Sequence, residues 1–222
     1  MPSLAKAIKR PILAALVTVL RRDRHFQVRR RAVREKVYLD IGCGIRTHAE
    51  FVNLDYGWHR GLDVCWDITR GLPFPDESFL GVFSEHCLEH IALEATDAVI
   101  GEILRVLKPG GTVRLVVPDG GLYLTRYVAT VAGEANSHMP NASEDGYEGI
   151  YSPIMSVNRI FRAHGHQYIY DFDTMRQLLE KHGFSNIVHE SFQCGRDPKL
   201  LIDWRERAHE SLYVEATKPR GT

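Results

Sequence analysis

Ser84-Glu85-His86-Cys87-Leu88-Glu89-His90 holds two carboxylates and two imidazoles within seven residues. Histidine titrates near neutral pH, so His86 can serve as a general base toward a hydroxyl. His86-Cys87-Leu88-Glu89-His90 also fits H-x-x-E-H, a metalloprotease zinc motif that needs both histidines on one helical face. Here His86 follows directly on a strand ending in Ser84-Glu85 and falls in a turn. The zinc reading is therefore set aside, and no metal ligand is expected. His166, in Ala163-His164-Gly165-His166-Gln167-Tyr168, is the second candidate base. His90 is the third, with a packing role as its alternative. Asp119, just past an apolar strand, could orient a hydroxyl acceptor, or could simply form the turn before Gly120-Gly121. For the histidines the plain alternative is a hydrogen-bonded structural ring.

A second constellation lies upstream. Val37-Tyr38-Leu39-Asp40-Ile41-Gly42-Cys43-Gly44 reads as a buried strand entering a tight turn, where glycine lets a ligand lie against the backbone. A dinucleotide site would want G-x-G-x-x-G, and Thr47 stands where the last glycine belongs. Asp40 inside the strand is no part of that fingerprint either. Asp55 and Asp67 each follow an apolar strand. A carboxylate accepts two hydroxyl hydrogen bonds, so Asp55 suits a ribose diol. Asp67 suits an adenine amino group, with the Ile68 backbone beside it. Each acid alone could be a strand-end cap. Together with the turn they point to an adenosyl ligand without phosphates. Cys43 then reads as a small side chain under the turn.

These groups need a frame of alternating strands and helices. Strands are predicted at 37–41, 51–55, 64–68, 80–84 and 112–119, and later at 187–192 and 211–216. Helices are predicted at 88–107, 122–132 and 173–182. Lys108-Pro109-Gly110-Gly111 is expected to stop the first of these and Gly183 the last. Only ten residues separate Gly44 from Asp55, too few for an ordinary crossover helix, so that link is short or irregular. Gly133 to Gly149 is polar and reads as a loop; the lid as a whole is assigned to about 133–166. The pattern predicts one doubly wound α/β domain with two late strands as an antiparallel pair on one edge.

Hydrophobic content of 44% and charged content of 25% in 222 residues are ordinary for a globular chain with a real core. Charge is unevenly spread. Residues 1–36 hold eleven Lys/Arg and two Asp/Glu, a balance of +9, and the rest balances at −9. Residues 3–34 read as a basic amphipathic helix broken near Pro11, fit for a membrane surface or for packing on the body. Its apolar run from Pro11 to Leu20 is half a membrane span, and no signal peptide is read. Cys43, Cys65, Cys87 and Cys194 form no C-x-x-C pair, which favours a reduced, cytoplasmic protein. The acidic body and the lack of an aromatic platform count against nucleic acid, despite Arg29, Arg30, Arg31 and Arg34.

Asp40-Ile41-Gly42-Cys43-Gly44, Asn53-Leu54-Asp55, Asp67-Ile68, Leu72-Pro73-Phe74-Pro75-Asp76, the Glu85-His86…Glu89-His90 pair and Arg105-Val106-Leu107-Lys108-Pro109-Gly110-Gly111 resemble, in order, the class I S-adenosylmethionine-dependent methyltransferases. The compressed first half is similar to the methyltransferase type 11 group, and the resemblance covers roughly residues 37–218. It implies a Rossmann-like methyltransferase fold: a mostly parallel seven-stranded sheet with an antiparallel edge pair. It implies S-adenosyl-L-methionine as cofactor, contacted by Asp40, Gly42, Cys43, Gly44, Asp55, Asp67, Ile68 and Glu85. His86, His166 and Asp119 are then the candidates for catalysis. The implied activity is methyl transfer to a small or glycan acceptor at a hydroxyl, in polysaccharide or glycolipid biosynthesis. The alternatives are a cofactor-binding protein without catalysis, a nucleic-acid methyltransferase, or a nicotinamide-dependent oxidoreductase, the last disfavoured by Thr47. The basic arm is compatible with a lipid-linked acceptor and peripheral membrane contact. Oligomeric state is not readable.

Overall fold

The computed structural model describes residues 35–143 and 145–221. The expected basic helix at 3–34 lies outside them. Seven strands form one sheet: β1 Tyr38–Ile41, β2 Phe51–Asp55, β3 Val64–Cys65, β4 Phe79–Glu85, β5 Leu107–Pro118, β6 Ser185–Glu190 and β7 Ser211–Thr217. Their order is β3-β2-β1-β4-β5-β7-β6. β1, β2, β3, β4 and β5 pair in parallel, and β7 runs antiparallel to both β5 and β6. This is the Rossmann-like methyltransferase arrangement that the motifs imply. Strand order reverses between β1 and β4, so a crevice opens at their carboxyl ends.

Side-chain alternation along the strands sorts the two faces. Leu39, Ile41, Val52, Leu54, Val82, Val113, Leu115, Leu212 and Val214 join one core cluster. Over it lie α1 (Leu93–Val106), through Val99, Ile100 and Ile103, and α4 (Phe172–His182), through Met175 and Leu179. The opposite face carries a smaller cluster of Phe51, Phe83, Val116, Leu200 and Tyr213, with Ile202 and Phe192 from the β6–β7 excursion against it. Asp40 falls between Leu39 and Ile41, and is only 3% exposed.

Several local expectations shift. The link 42–50 contains no helix; the Asn53 side chain accepts from His48 N at 2.7 Å and donates to His48 O at 3.0 Å, holding the chain where a helix would. Only Val64–Cys65 of the stretch 64–68 is strand, because Asp67 caps a 3-10 turn at Ile68–Arg70. The helix predicted at 88–107 is split into a 3-10 turn at Leu88–His90 and α1. The Glu89 carbonyl, which would continue the helix, instead accepts from Gln167 N at 2.7 Å and Tyr168 N at 3.3 Å. β5 begins at Leu107, so Lys108-Pro109-Gly110-Gly111 forms an irregularity at the start of the strand. The lid is not all loop: α3 spans Pro153–Arg162, after α2 at Gly120–Val131. Met139 and Ile160 seat it on Tyr123 of α2.

Candidate functional site

The crevice holds a cavity of about 390 Å³. Its lining includes Asp40, the turn Gly42-Cys43-Gly44 and Glu85 together with His86, Glu89, His90 and His166. The turn is held down by β2: Gly42 N and Cys43 N donate to Leu54 O at 2.8 and 3.2 Å. Gly42 takes φ +76, and a Cβ built there would stand 2.5 Å from Cys87 Sγ. Gly44 takes φ +53, and a Cβ there would meet nothing within 4 Å. One glycine is thus required by packing from below, while the other keeps its upper side clear for a ligand.

The acids differ in their surroundings. Burial pushes Asp40 well above the usual carboxylate range, and the charge of Glu85 adds to it. Burial also raises Glu85, against hydrogen bonding from Trp204 N at 2.9 Å and the charges of His86 and Arg46. Two carboxylates that resist ionisation side by side would favour a cation between them. Asp55 accepts from Gly44 N at 2.9 Å and Gly57 N at 2.6 Å, which leaves each oxygen a lone pair for a further donor. Asp67 accepts from Thr69 N and Thr69 Oγ1 and lies, with Ile68 and Asp55, beside rather than in the cavity wall. Asp119 caps α2 by accepting from Leu122 N at 3.0 Å and is also outside the wall.

His86 follows β4 at φ +48, a conformation that L residues rarely adopt. Its Nε2 lies 2.8 Å from Ser211 Oγ, whose single proton goes to Arg207 O at 2.8 Å. His86 Nε2 is therefore the donor, and Nδ1 faces Glu89 Oε1 at 3.4 Å. His166 Nδ1 donates to Ile160 O at 2.6 Å, so its lone pair is on Nε2. Its ring meets that of His90 edge to face, with centroids 5.0 Å apart. Burial lowers His90, the charge of Glu89 opposing it. The structure thus brings His86, His90 and His166 together from β4, the following turn and the end of the lid.

Part of the wall was not anticipated. Trp204 lies under the guanidinium groups of Arg46 and Arg207, whose central carbons are 5.2 and 5.7 Å from its ring centre. Glu210 accepts from Tyr123 Oη at 3.0 Å and from Arg207 at 2.6 Å. Burial raises it, but Arg207 and Tyr123 leave it below its ordinary value. The one available signal was a tryptophan among Arg205, Glu206 and Arg207 in the excursion, which has no periodicity to assign it to an element.

A family model described as a methyltransferase domain matches residues 39–115. No curated protein sequence matches the chain. Among solved structures, Haemonchus contortus phosphoethanolamine N-methyltransferase 2 in complex with S-adenosyl-L-methionine is 18% identical over 83% of this chain and 49% of its own, with a TM-score of 0.50. The chain thus spans about half the length of that protein. A Thermotoga maritima S-adenosylmethionine-dependent methyltransferase, titled as a possible histamine N-methyltransferase, is 17% identical over 82% of this chain and 81% of its own, with a TM-score of 0.50. An S-adenosylmethionine-dependent methyltransferase from Archaeoglobus fulgidus is 16% identical over 93% and 94%, again with a TM-score of 0.50. At these identities the likeness is one of fold. The family match runs from β1 into β5 on the sheet order and crevice described above, so the chain carries a methyltransferase-domain match over residues 39–115 on the fold of the S-adenosylmethionine-dependent methyltransferases.

Proposed function

We propose that the protein O-methylates a small or glycan acceptor, with the acceptor hydroxyl seated beside the histidines that line the cavity. The supporting observation is a single cavity lined both by Asp40, Gly42, Gly44 and Glu85 and by His86, His90 and His166. Gly44, with clear space above it, and the reluctant carboxylates Asp40 and Glu85 fit a ligand that carries positive charge but no phosphate. S-adenosylmethionine, when bound there, supplies an activated methyl group. Asp55, Asp67 and Ile68, at the ends of β2 and β3, are proposed to hold its adenosyl part. His166 has its Nε2 lone pair free of the Ile160 bond and would take the proton from the acceptor hydroxyl. His86, fixed by Ser211, would orient that hydroxyl, and Asp119 would act on it only by setting the start of α2.

A lipid-linked glycan is the favoured acceptor. Tyr147, Ile150, Tyr151, Ile154 and Phe161 are exposed on the lid, and the chain begins with a basic arm. Among the described residues no helix is long and apolar enough to cross a membrane. Calorimetry with S-adenosylhomocysteine and with NAD tests the cofactor. A methyl-transfer screen over nucleotide sugars, glycolipids, phenols and amines tests the acceptor. Binding of NAD alone would remove the methyl-transfer reading; turnover only with amines would replace O- by N-methylation.

A further inference from the structure

Glu89 is 0% exposed, and neither of its carboxylate oxygens accepts a hydrogen bond among the described residues. An ionised carboxylate in that position demands a positive partner. Around it stand the ring nitrogens of three histidines. His86 spends its Nε2 proton on Ser211, and its Nδ1 stands 3.4 Å from Glu89 Oε1 without a hydrogen bond between them. His90 Nε2 lies 3.8 Å from the same oxygen. His166, with Nδ1–H committed to the Ile160 carbonyl, presents Nε2. Donor atoms of Glu89, His90 and His166 all lie within 4.8 Å of one another. A buried carboxylate ringed by imidazole nitrogens and accepting no hydrogen bond is unfavourable unless a cation sits among them.

We propose that Glu89, His90 and His166 form a binding site for a divalent first-row transition ion, with His86 flanking it. Two imidazoles and one carboxylate suit Zn²⁺ and its neighbours, and leave further coordination positions open. Bonds of 2.0–2.2 Å in tetrahedral array would bring the donors to about 3.4 Å apart, so the present separations, all within 4.8 Å, must close by up to about 1.4 Å. The bond from His166 Nδ1–H to a backbone carbonyl is the support that metal-ligating histidines generally have. Backbone bonds hold the cage from both sides: Gln167 N and Tyr168 N reach the Glu89 carbonyl, and Gln167 Nε2 reaches His90 O at 2.7 Å. These contacts also divert Glu89 and His90 out of the helix that their sequence would otherwise extend.

The open positions face the cavity, where oxygens of an acceptor would complete the shell. That role rests on the methyl-transfer reading; the ion site rests on the geometry alone. An acceptor with two adjacent oxygens, such as a vicinal diol of a sugar, fits such a shell best. With the ion bound, the His166 lone pair would be occupied; the ion would lower the pKa of a bound hydroxyl, whose proton would pass to solvent in the cavity in place of His166.

The test uses the full chain, stripped with a chelator and titrated with Co²⁺, followed by visible absorption and calorimetry, with Mg²⁺ as the hard-ion control. One equivalent should bind, giving the d–d bands of nitrogen-ligated cobalt, and Zn²⁺ should displace it. Glu89→Gln and His166→Asn should each weaken uptake by more than about tenfold. If Glu89→Gln does not fold, His166→Asn, at the edge of the cage, decides. No saturable uptake, or uptake equal in wild type and His166→Asn, overturns the site; a proton between His86 and Glu89 is then the occupant. Calorimetry with S-adenosylhomocysteine on the stripped protein separates the two readings. Binding without metal uptake keeps methyl transfer and removes the ion; uptake without binding does the reverse.

Discussion

Asp40 and Gly42 stand two residues apart and serve the site by opposite means. Asp40 is kept against the interests of the fold, since burial and Glu85 both resist its ionisation. Asp40→Asn is expected to stabilise the protein at neutral pH by about 1–3 kcal/mol while weakening S-adenosylmethionine binding; denaturant midpoints and calorimetry together check the trade. Gly42 is kept for geometry. Gly42→Ala must adopt φ +76 and displace Cys87 Sγ from 2.5 Å, a loss of at least about 2 kcal/mol in chemical unfolding. Asp119→Ala removes the cap on Leu122 N and should cost about 1 kcal/mol without changing cofactor affinity. The turn at Gly42-Cys43-Gly44 was legible because an apolar strand ending in glycines is a local signal. The tautomers of His86 and His166 were not, since each is set by a partner distant in sequence or by a loop carbonyl, Ser211 and Ile160.

At the scale of elements, the excursion between β6 and β7 is the piece that most needs an account. It brings Ile202, Trp204 and Arg207 to the cavity, and Arg114 of β5 ties it down. The fully buried guanidinium donates to Asp203 at 2.6 and 2.7 Å, to Glu215 at 3.0 Å, and to the Ser191 and Cys194 carbonyls. Arg114→Ala would leave two buried carboxylates without their cation, costing about 3–5 kcal/mol. It should also release the excursion, seen as faster amide exchange at 192–204 than in the rest of the sheet. A continuous run of β-branched residues and leucine made β5 readable from sequence, and α4 was readable to within a residue. The place of the excursion in the cavity wall and the helix α3 were not foreseen, for a shared reason. Neither contributes to the main core: α3 buries only Ser156 and Ile160, so its pattern is that of a polar segment. The split of the predicted 88–107 helix was invisible because its cause, the Glu89 carbonyl bonded to Gln167 and Tyr168, lies nearly eighty residues downstream.

For the molecule as a whole, the cavity is a place where a charged ligand and the protein's protons compete. Asp40 and Glu85 have folded values above the unfolded carboxylate range of about 4. Between the unfolded and the raised folded values the native state holds more protons. The ligand-free protein therefore loses stability from these groups as pH rises through that window. A cationic sulfonium ligand reverses the preference, so binding S-adenosylmethionine should release protons. Calorimetry in two buffers of different ionisation enthalpy measures this, and S-adenosylhomocysteine should release fewer. The overall sheet was legible from the order of its motifs, whereas the convergence of β4, the lid and the excursion on one cavity required the tertiary structure. Cys43 lends itself to following that convergence in time. It is buried beneath the turn with its thiol pushed up in pKa, as is that of Cys87, while Cys194 is exposed. An alkylating reagent should mark Cys194 at once and Cys43 only when the turn lifts. The protein therefore carries its own clock for breathing at the cofactor turn, with an internal standard, and occupancy by the cofactor should slow that clock without touching the standard.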